Sequence, residues 1–278
     1  MCRWLAYSGP AIYLDKVLFE PENSLISQSL NARLGATATN GDGFGVGWYG
    51  ERGRPGLFRD VLPAWNDDNL RSVSEQIRSS LFFAHVRAST GTATARYNCH
   101  PFRHGQWLFM HNGRVSCYER VRRDLEMLVA PELYPHRVGT TDSEAIFYLM
   151  LSNGLDVDPI GAIARTVGQI GEVMAAARVT EPFRFTAAAS NGQQVFAVRY
   201  SSDGQSPSLF YGRPHVEGAD LTCAPQAMIL SEPLDANSAN WVEVPEAHVL
   251  VAEAGRIASV TPFAPAAKAR VVDLRASA

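Results

Sequence analysis

The sequence predicts an α+β domain containing more than one β-sheet. Two observations carry this. Strand-like runs come first, helical periodicities occupy the middle, and short β-rich runs separated by turn residues return after about residue 184. No internal repeat or low-complexity linker divides the 278 residues. One domain over residues 2–262 is therefore expected, followed by an Ala-rich C-terminal tail, 263–278.

In order, residues 2–8 form a buried strand, and residues 23–34 (NSLISQSLNARL) space their apolar side chains as a helix does. Residues 44–50 and 56–60 flank a Gly/Arg/Pro turn and predict a hairpin. Residues 66–78 are helical, and 81–88 and 106–111 are strands. Helices follow at 116–130, 142–153 and 159–178. Strands are then expected at 184–190, 194–200, 208–212, 226–231, 241–244, 247–253 and 256–262.

Composition bounds the function. The chain is 46% hydrophobic and 19% charged, with a net charge of −3. That balance argues against a nucleic-acid or anionic-membrane partner. No apolar stretch reaches membrane-spanning length, and no basic and apolar leader opens the chain, so a cytoplasmic protein is expected. The cysteines at 2, 99, 117 and 223 lack CxxC spacing, as in a reduced protein. Cys99-His100 is a single adjacent pair, so no metal is expected. The glycines of Asn40-Gly-Asp-Gly-Phe-Gly-Val-Gly-Trp48 match no phosphate loop, and no cofactor is expected. Such alternate glycines instead allow close backbone approach or a bend.

Cys2 directly follows the initiator methionine. Aminopeptidases remove Met1 when the next side chain is small. Removal would place a thiol and a free α-amine on one residue, nucleophile and general base together. The α-amine titrates near about 7.7–8.0, which suits a base at neutral pH. The other reading of Cys2 is a small apolar residue opening a strand.

Four more segments carry candidate chemistry, each with a plainer alternative. In His85-Val86-Arg87, positions 85 and 87 share the strand face of Phe83. An inward arginine needs an anion, either an internal acid or a ligand carboxylate that fits its fork. His111-Asn112-Gly113 carries a hairpin signal, but the following residues read as a helix start with Ser116 and Glu119 as a capping box. At a strand–helix junction, the Asn112 amide and Gly113 N–H can form an oxyanion hole. Thr141 and Glu144 form a second capping box, with Asp142 in the first turn. There it either complements the helix dipole or binds a substrate ammonium. His100, in Asn98-Cys99-His100-Pro101-Phe102, is either an orienting group or a loop residue.

Together, Met1-Cys2-Arg3, Asn40 to Trp48, Ala84 to Arg87, Asn98 to Phe102, His111 to Gly113 and Thr141 to Glu144 resemble the glutaminase domain of class II glutamine amidotransferases. These belong to the N-terminal nucleophile superfamily. The opening MCRWLAYSG, the segment NGDGFGVGWY and ILSEPL (229–234) are similar to its stand-alone branch, of the YafJ and ergothioneine-amidase type. The resemblance implies a four-layer αββα sandwich and an amidohydrolase that cleaves a γ-glutamyl amide through a Cys2 thioester. By the same resemblance, Cys2 is the nucleophile and Asn112 and Gly113 form the oxyanion hole. Arg87 binds the α-carboxylate, Asp142 the α-ammonium, and His85 and His100 stand behind them. Where the glutamine-dependent sugar-phosphate transaminase has Trp and His, this chain has Ala88 and Gly91. Strict preference for free glutamine is therefore not implied. Two other readings stay open: a glutaminase subunit delivering ammonia to a separate synthase, and a catalytically silent γ-glutamyl-binding protein. A homo-oligomer or an ammonia-accepting subunit is the partner to test for.

Overall fold

The computed structural model describes residues 2–34, 39–89, 93–213 and 225–266. Met1, Gly91, Cys223 and positions 267–278 of the expected tail lie outside the described residues. The strands are β1 (Arg3–Tyr13), β2 (Phe44–Trp48), β3 (Gly56–Asp60), β4 (Arg78–Val86), β5 (Phe102–His104), β6 (Trp107–Arg114), β7 (Arg184–Ser190), β8 (Gln194–Ser201), β9 (Phe210–Gly212), β10 (Ala227–Leu230), β11 (Trp241–Glu243), β12 (His248–Glu253) and β13 (Arg256–Pro262). The α-helices are α1 (Asp15–Leu18), α2 (Leu25–Leu30), α3 (Asp68–Ser74), α4 (Tyr118–Glu126), α5 (Asp142–Ser152) and α6 (Pro159–Ala176).

Two antiparallel sheets form. One runs β11-β9-β10-β1-β4-β2-β3 and the other β13-β12-β8-β7-β6-β5. Alternation along the strands explains why they stack as inner layers. Trp4, Ala6, Leu81, Phe83, Leu108, Met110, Ala188 and Ala197 make one cluster between the sheets. The intervening Leu5, Tyr7, Phe44, Phe82 and Ala84 pack outward against Val17 and Leu18 of α1, Leu25 of α2 and Leu70 of α3. On the other side, Phe109, Phe185, Ala187 and Phe196 face Val121 of α4, Phe147 of α5 and Ile163 of α6. Central strands buried on both faces read as continuous apolar runs, which is why LFFA and WLFM carry no polar alternation. The result is the four-layer αββα sandwich.

Local differences have physical causes. Asn112 and Gly113 lie inside β6, opposite Thr186 and Phe185 of β7. The strand–helix junction expected there comes later in the chain. Ser116 does not cap α4, because its hydroxyl donates to the Pro182 carbonyl at 2.6 Å. Cys117 takes the N-cap position at φ 52° without a side-chain cap. Thr141 does cap α5, its Oγ1 accepting from Glu144 N at 3.1 Å. The Glu144 carboxylate reaches beyond Thr141 to the amides of Val138 and Gly139. The expected helix 23–34 is shorter, six residues in α2, and α1 and β5 are additions too brief for periodicity to signal. Phe263, assigned from sequence to the tail, is buried in the helix-side core, and Ala266 N donates to Ala164 O of α6.

The alternate glycines of β2 resolve into close approach. Gly45 faces the other sheet, and a Cβ there would lie 2.1 Å from the His100 carbonyl oxygen. Any side chain at 45 would push the 99–101 segment away from the strands that carry the candidate site.

Candidate active site

The site forms where the first residues of β1, the end of β4 and the end of β6 converge. Cys2 immediately precedes β1, and two residues after β10 fix its position. Ser231 Oγ accepts from Trp4 N at 3.0 Å, and Ser231 N donates to Trp4 O at 3.0 Å. Glu232, 2% exposed, pairs with Arg3 Nε at 2.9 Å and also accepts from Asn23 Nδ2, Arg33 N and Leu34 N. Arg3 Nη1 in turn donates to the Cys2 carbonyl at 3.0 Å. ILSEPL is therefore the lock that holds the N-terminal strand in register. From sequence it served only as a family marker, and Arg3, Ser231 and Glu232 were not site candidates.

Burial raises the Glu232 carboxyl pKa, but the Arg33 and Leu34 amides, Asn23 and Arg3 more than reverse this, leaving it below its ordinary value. A depressed carboxyl stabilises the fold fully above its unfolded value, about 4.3. That contribution is lost as pH falls through the lower folded value. Glu232→Gln is expected to cost about 1.5–3 kcal/mol at neutral pH, the range for hydrogen bonds to a charged group. It should also flatten the acid limb of the stability profile below about pH 4.3. Chemical denaturation from pH 3 to 7 checks this, and parallel acid limbs in variant and wild type would exclude Glu232 as the titrating group.

The half-buried Cys2 thiol meets the Ala88 backbone. Ala88 N donates to Sγ at 3.4 Å, and Ala88 O lies 3.5 Å away. Burial pushes the thiol pKa up, while the Ala88 N–H and the Arg87 charge oppose the shift. On the other side, Asn112 Nδ2 donates to the Cys2 carbonyl at 2.9 Å. Asn112 shares the inward face of Met110, whereas His111 points outward and bonds Ser143 Oγ at 2.9 Å and Arg184 O at 3.1 Å. Gly113 has φ 148°, and a Cβ there would sit 2.0 Å from Arg184 O, so only glycine fits.

Arg87 extends the β4 ladder by one pair, its N–H donating to Gly43 O at 2.8 Å. Its guanidinium donates to Asp42 O, Ser89 Oγ and Ala93 O at 3.3, 3.2 and 3.5 Å. Asn98 carries this segment to the next. Its Nδ2 bonds Ala93 O at 3.0 Å and Thr140 Oγ1 at 3.1 Å, and its Oδ1 accepts from Thr140 N at 2.9 Å. Two residues on, Asp142 opens α5, its carboxylate accepting from Val115 N at 2.8 Å and Ser143 N at 2.7 Å. The His85 and His100 rings lie against each other at a 31° tilt, their centroids 4.2 Å apart. Their four ring nitrogens find no hydrogen-bond partner among the described residues. Burial lowers His85 to about 3 and holds His100 well below its ordinary value, so both are neutral at pH 7. Among the described residues, no group of three or more His, Cys, Asp or Glu is placed to hold a metal ion.

The profile of class II glutamine amidotransferases matches residues 19–272. The chain belongs to the class II glutamine amidotransferases. The matched residues begin after Cys2, so the family assignment and the placing of the thiol are separate observations. A probable glutamine amidotransferase of Saccharomyces cerevisiae, DUG3, is 34% identical over 90% of this chain and 81% of its own length. The gamma-glutamyl-hercynylcysteine sulfoxide hydrolase of Mycolicibacterium smegmatis is 30% identical over 90% of this chain and 95% of its own. A class II domain protein from Silicibacter pomeroyi superposes with a TM-score of 0.75 at 38% identity, covering 95% of this chain and all of that one. The phosphoribosylpyrophosphate amidotransferase of B. subtilis shares the fold at 13% identity, with a TM-score of 0.60 over half its length. The yeast, Mycolicibacterium and Silicibacter relatives place this amidotransferase in the stand-alone branch. Among its described residues no helix is long and apolar enough to cross a membrane.

Proposed function

We propose that this amidotransferase hydrolyses a γ-glutamyl amide through a Cys2 thioester and releases glutamate. The observation that carries the reading is the seating of the Cys2 thiol against the Ala88 amide, next to Arg87, with the Asn112 amide on its other side. In the proposed cycle Arg87 and Asp142 grip the α-carboxylate and α-ammonium of the glutamyl group. The Cys2 α-amine, freed by loss of Met1, takes the thiol proton, and the thiolate attacks the γ-carbonyl carbon. Asn112 and Gly113 N–H stabilise the oxyanion. The C–N bond breaks, the amine leaves with the proton held on the Cys2 amine, and water hydrolyses the thioester through a second oxyanion. His85 and His100 back the Arg87 strand without adding positive charge. Outright hydrolysis is favoured over ammonia delivery because the chain aligns with 95% of a relative named as a hydrolase.

Glutamate release from glutamine, glutathione and γ-glutamyl thio-conjugates tests the reading. At least one should turn over, and silence across the panel would favour a binding protein. Arg87→Lys serves as the control for head-group recognition. A point charge cannot reproduce the fork, so KM should rise about ten- to a hundredfold, the equivalent of one charge-assisted hydrogen bond. An unchanged KM would return Arg87 to a purely structural role.

A further inference from the structure

A cavity of about 390 Å³ opens at the edge of the sandwich and is lined by Leu57, Phe58, Arg59, Asp60, Arg96 and Arg103. Its charge is unbalanced. Asp60 is matched by Arg96 at 2.7 Å. Arg59 donates Nη1 to Cys99 O at 2.9 Å, and Arg103 donates Nη1 to Pro55 O at 2.9 Å. Among the described residues no carboxylate lies within 4.0 Å of either guanidinium. The nearest acid in the adjoining recess is Glu144. It is occupied by the Val138 and Gly139 amides and by Arg137 Nε at 3.6 Å. Burial lowers the pKa of both Arg59 and Arg103, and Arg54 lowers that of Arg103 further. Glu144 acts on Arg59 only at longer range. Two part-desolvated guanidiniums that form no ion pair among the described residues, with Leu57 on the same β3 face as Arg59, make a receptor for an anion with an apolar body.

The cavity is separate from the thiol centre. Arg3, Val86, Phe44 and Asp60 form one row across β1, β4, β2 and β3. Three interstrand steps of about 4.8 Å put Asp60 about 14 Å from Arg3. The buried Cys99 stands between, its thiol at Gly43 and its carbonyl on Arg59. An extended chain advances about 3.3–3.6 Å per residue, so that separation is about four residues of extended chain.

We propose that this groove is a second ligand site, for a small molecule bearing an oxyanion, carboxylate or phosphate. Titration calorimetry of the full chain with inorganic phosphate, and separately with succinate, at constant ionic strength tests it. Saturable binding of at least one anion is expected, and the preferred anion identifies the group. Arg59→Gln and Arg103→Gln should each weaken binding at least tenfold, while Cys2→Ala retains it. Arg103→Gln removes a half-buried guanidinium and its bond to Pro55 O, and its melting temperature without anion checks the fold. Absence of saturable binding at millimolar anion, equal binding in the arginine variants, or loss of binding in Cys2→Ala would each overturn the proposal.

Discussion

Cys2→Ala is expected to abolish glutamate release while leaving the melting temperature near that of wild type. The two outcomes separate because the thiol and the strand behind it are held by different groups. Register at the start of β1 is set by Arg3 on Glu232 and Trp4 on Ser231, and the substitution touches neither. What it removes is a half-buried thiol that accepts one weak hydrogen bond from Ala88 N at 3.4 Å. Net hydrogen-bond contributions of about 0.5–1.5 kcal/mol bound the stability loss. The catalytic loss has no such bound, since among the described residues no other thiol is placed to replace it. Cys99 is fully buried behind Gly43, and Cys117 sits at the N-cap position of α4. Burial raises the Cys2 thiol pKa, so the nucleophile needs a base at neutral pH. Intact mass of the active wild-type fraction should therefore lack Met1. Residual turnover in Cys2→Ala, or an active fraction that keeps Met1, would sink the thioester route.

The sandwich was legible because buried strands announce themselves. LFFA and WLFM carry enough apolar residues to serve both faces of a sheet, and WLAY and AMIL do the same in the neighbouring strands β1 and β10. The segment around Asn112 reads from sequence as a strand–helix junction and is instead the end of a strand. Asn-Gly signals a turn locally, but seven register pairs with β7 hold the segment extended, and Gly113 absorbs the cost through its φ of 148°. Glu232 could not be read as a site residue. Its partners Arg3, Asn23, Arg33 and Leu34 lie about two hundred positions away in the chain, and no local pattern carries that information. The anion groove was hidden for the same reason. Arg59, Arg96 and Arg103 are unremarkable charges until β3 and β5 become facing edges of the two sheets.

Asn112→Ala should lower kcat about 100- to 1,000-fold, the usual effect of losing one oxyanion donor, with little change in KM. The expectation rests on where the amide is held. Asn112 lies on the inward face of β6, and its Nδ2 is 2.9 Å from the carbonyl of Cys2. In the proposed cycle a donor fixed there meets the oxyanion formed on the neighbouring sulfur's substrate, while Arg87 and Asp142 read the head group. If binding of the substrate and stabilisation of the oxyanion fall to different residues in this way, kcat and KM should part accordingly. Asn112→Asp sharpens the test. It keeps the size and strand position but replaces the donor with an acceptor facing the Cys2 carbonyl and the developing negative charge. It should be at least as inactive as the alanine variant. If Asn112 only fills space beside Cys2, the aspartate variant will retain turnover and the alanine variant will lose stability. That pattern would remove Asn112 from the oxyanion hole.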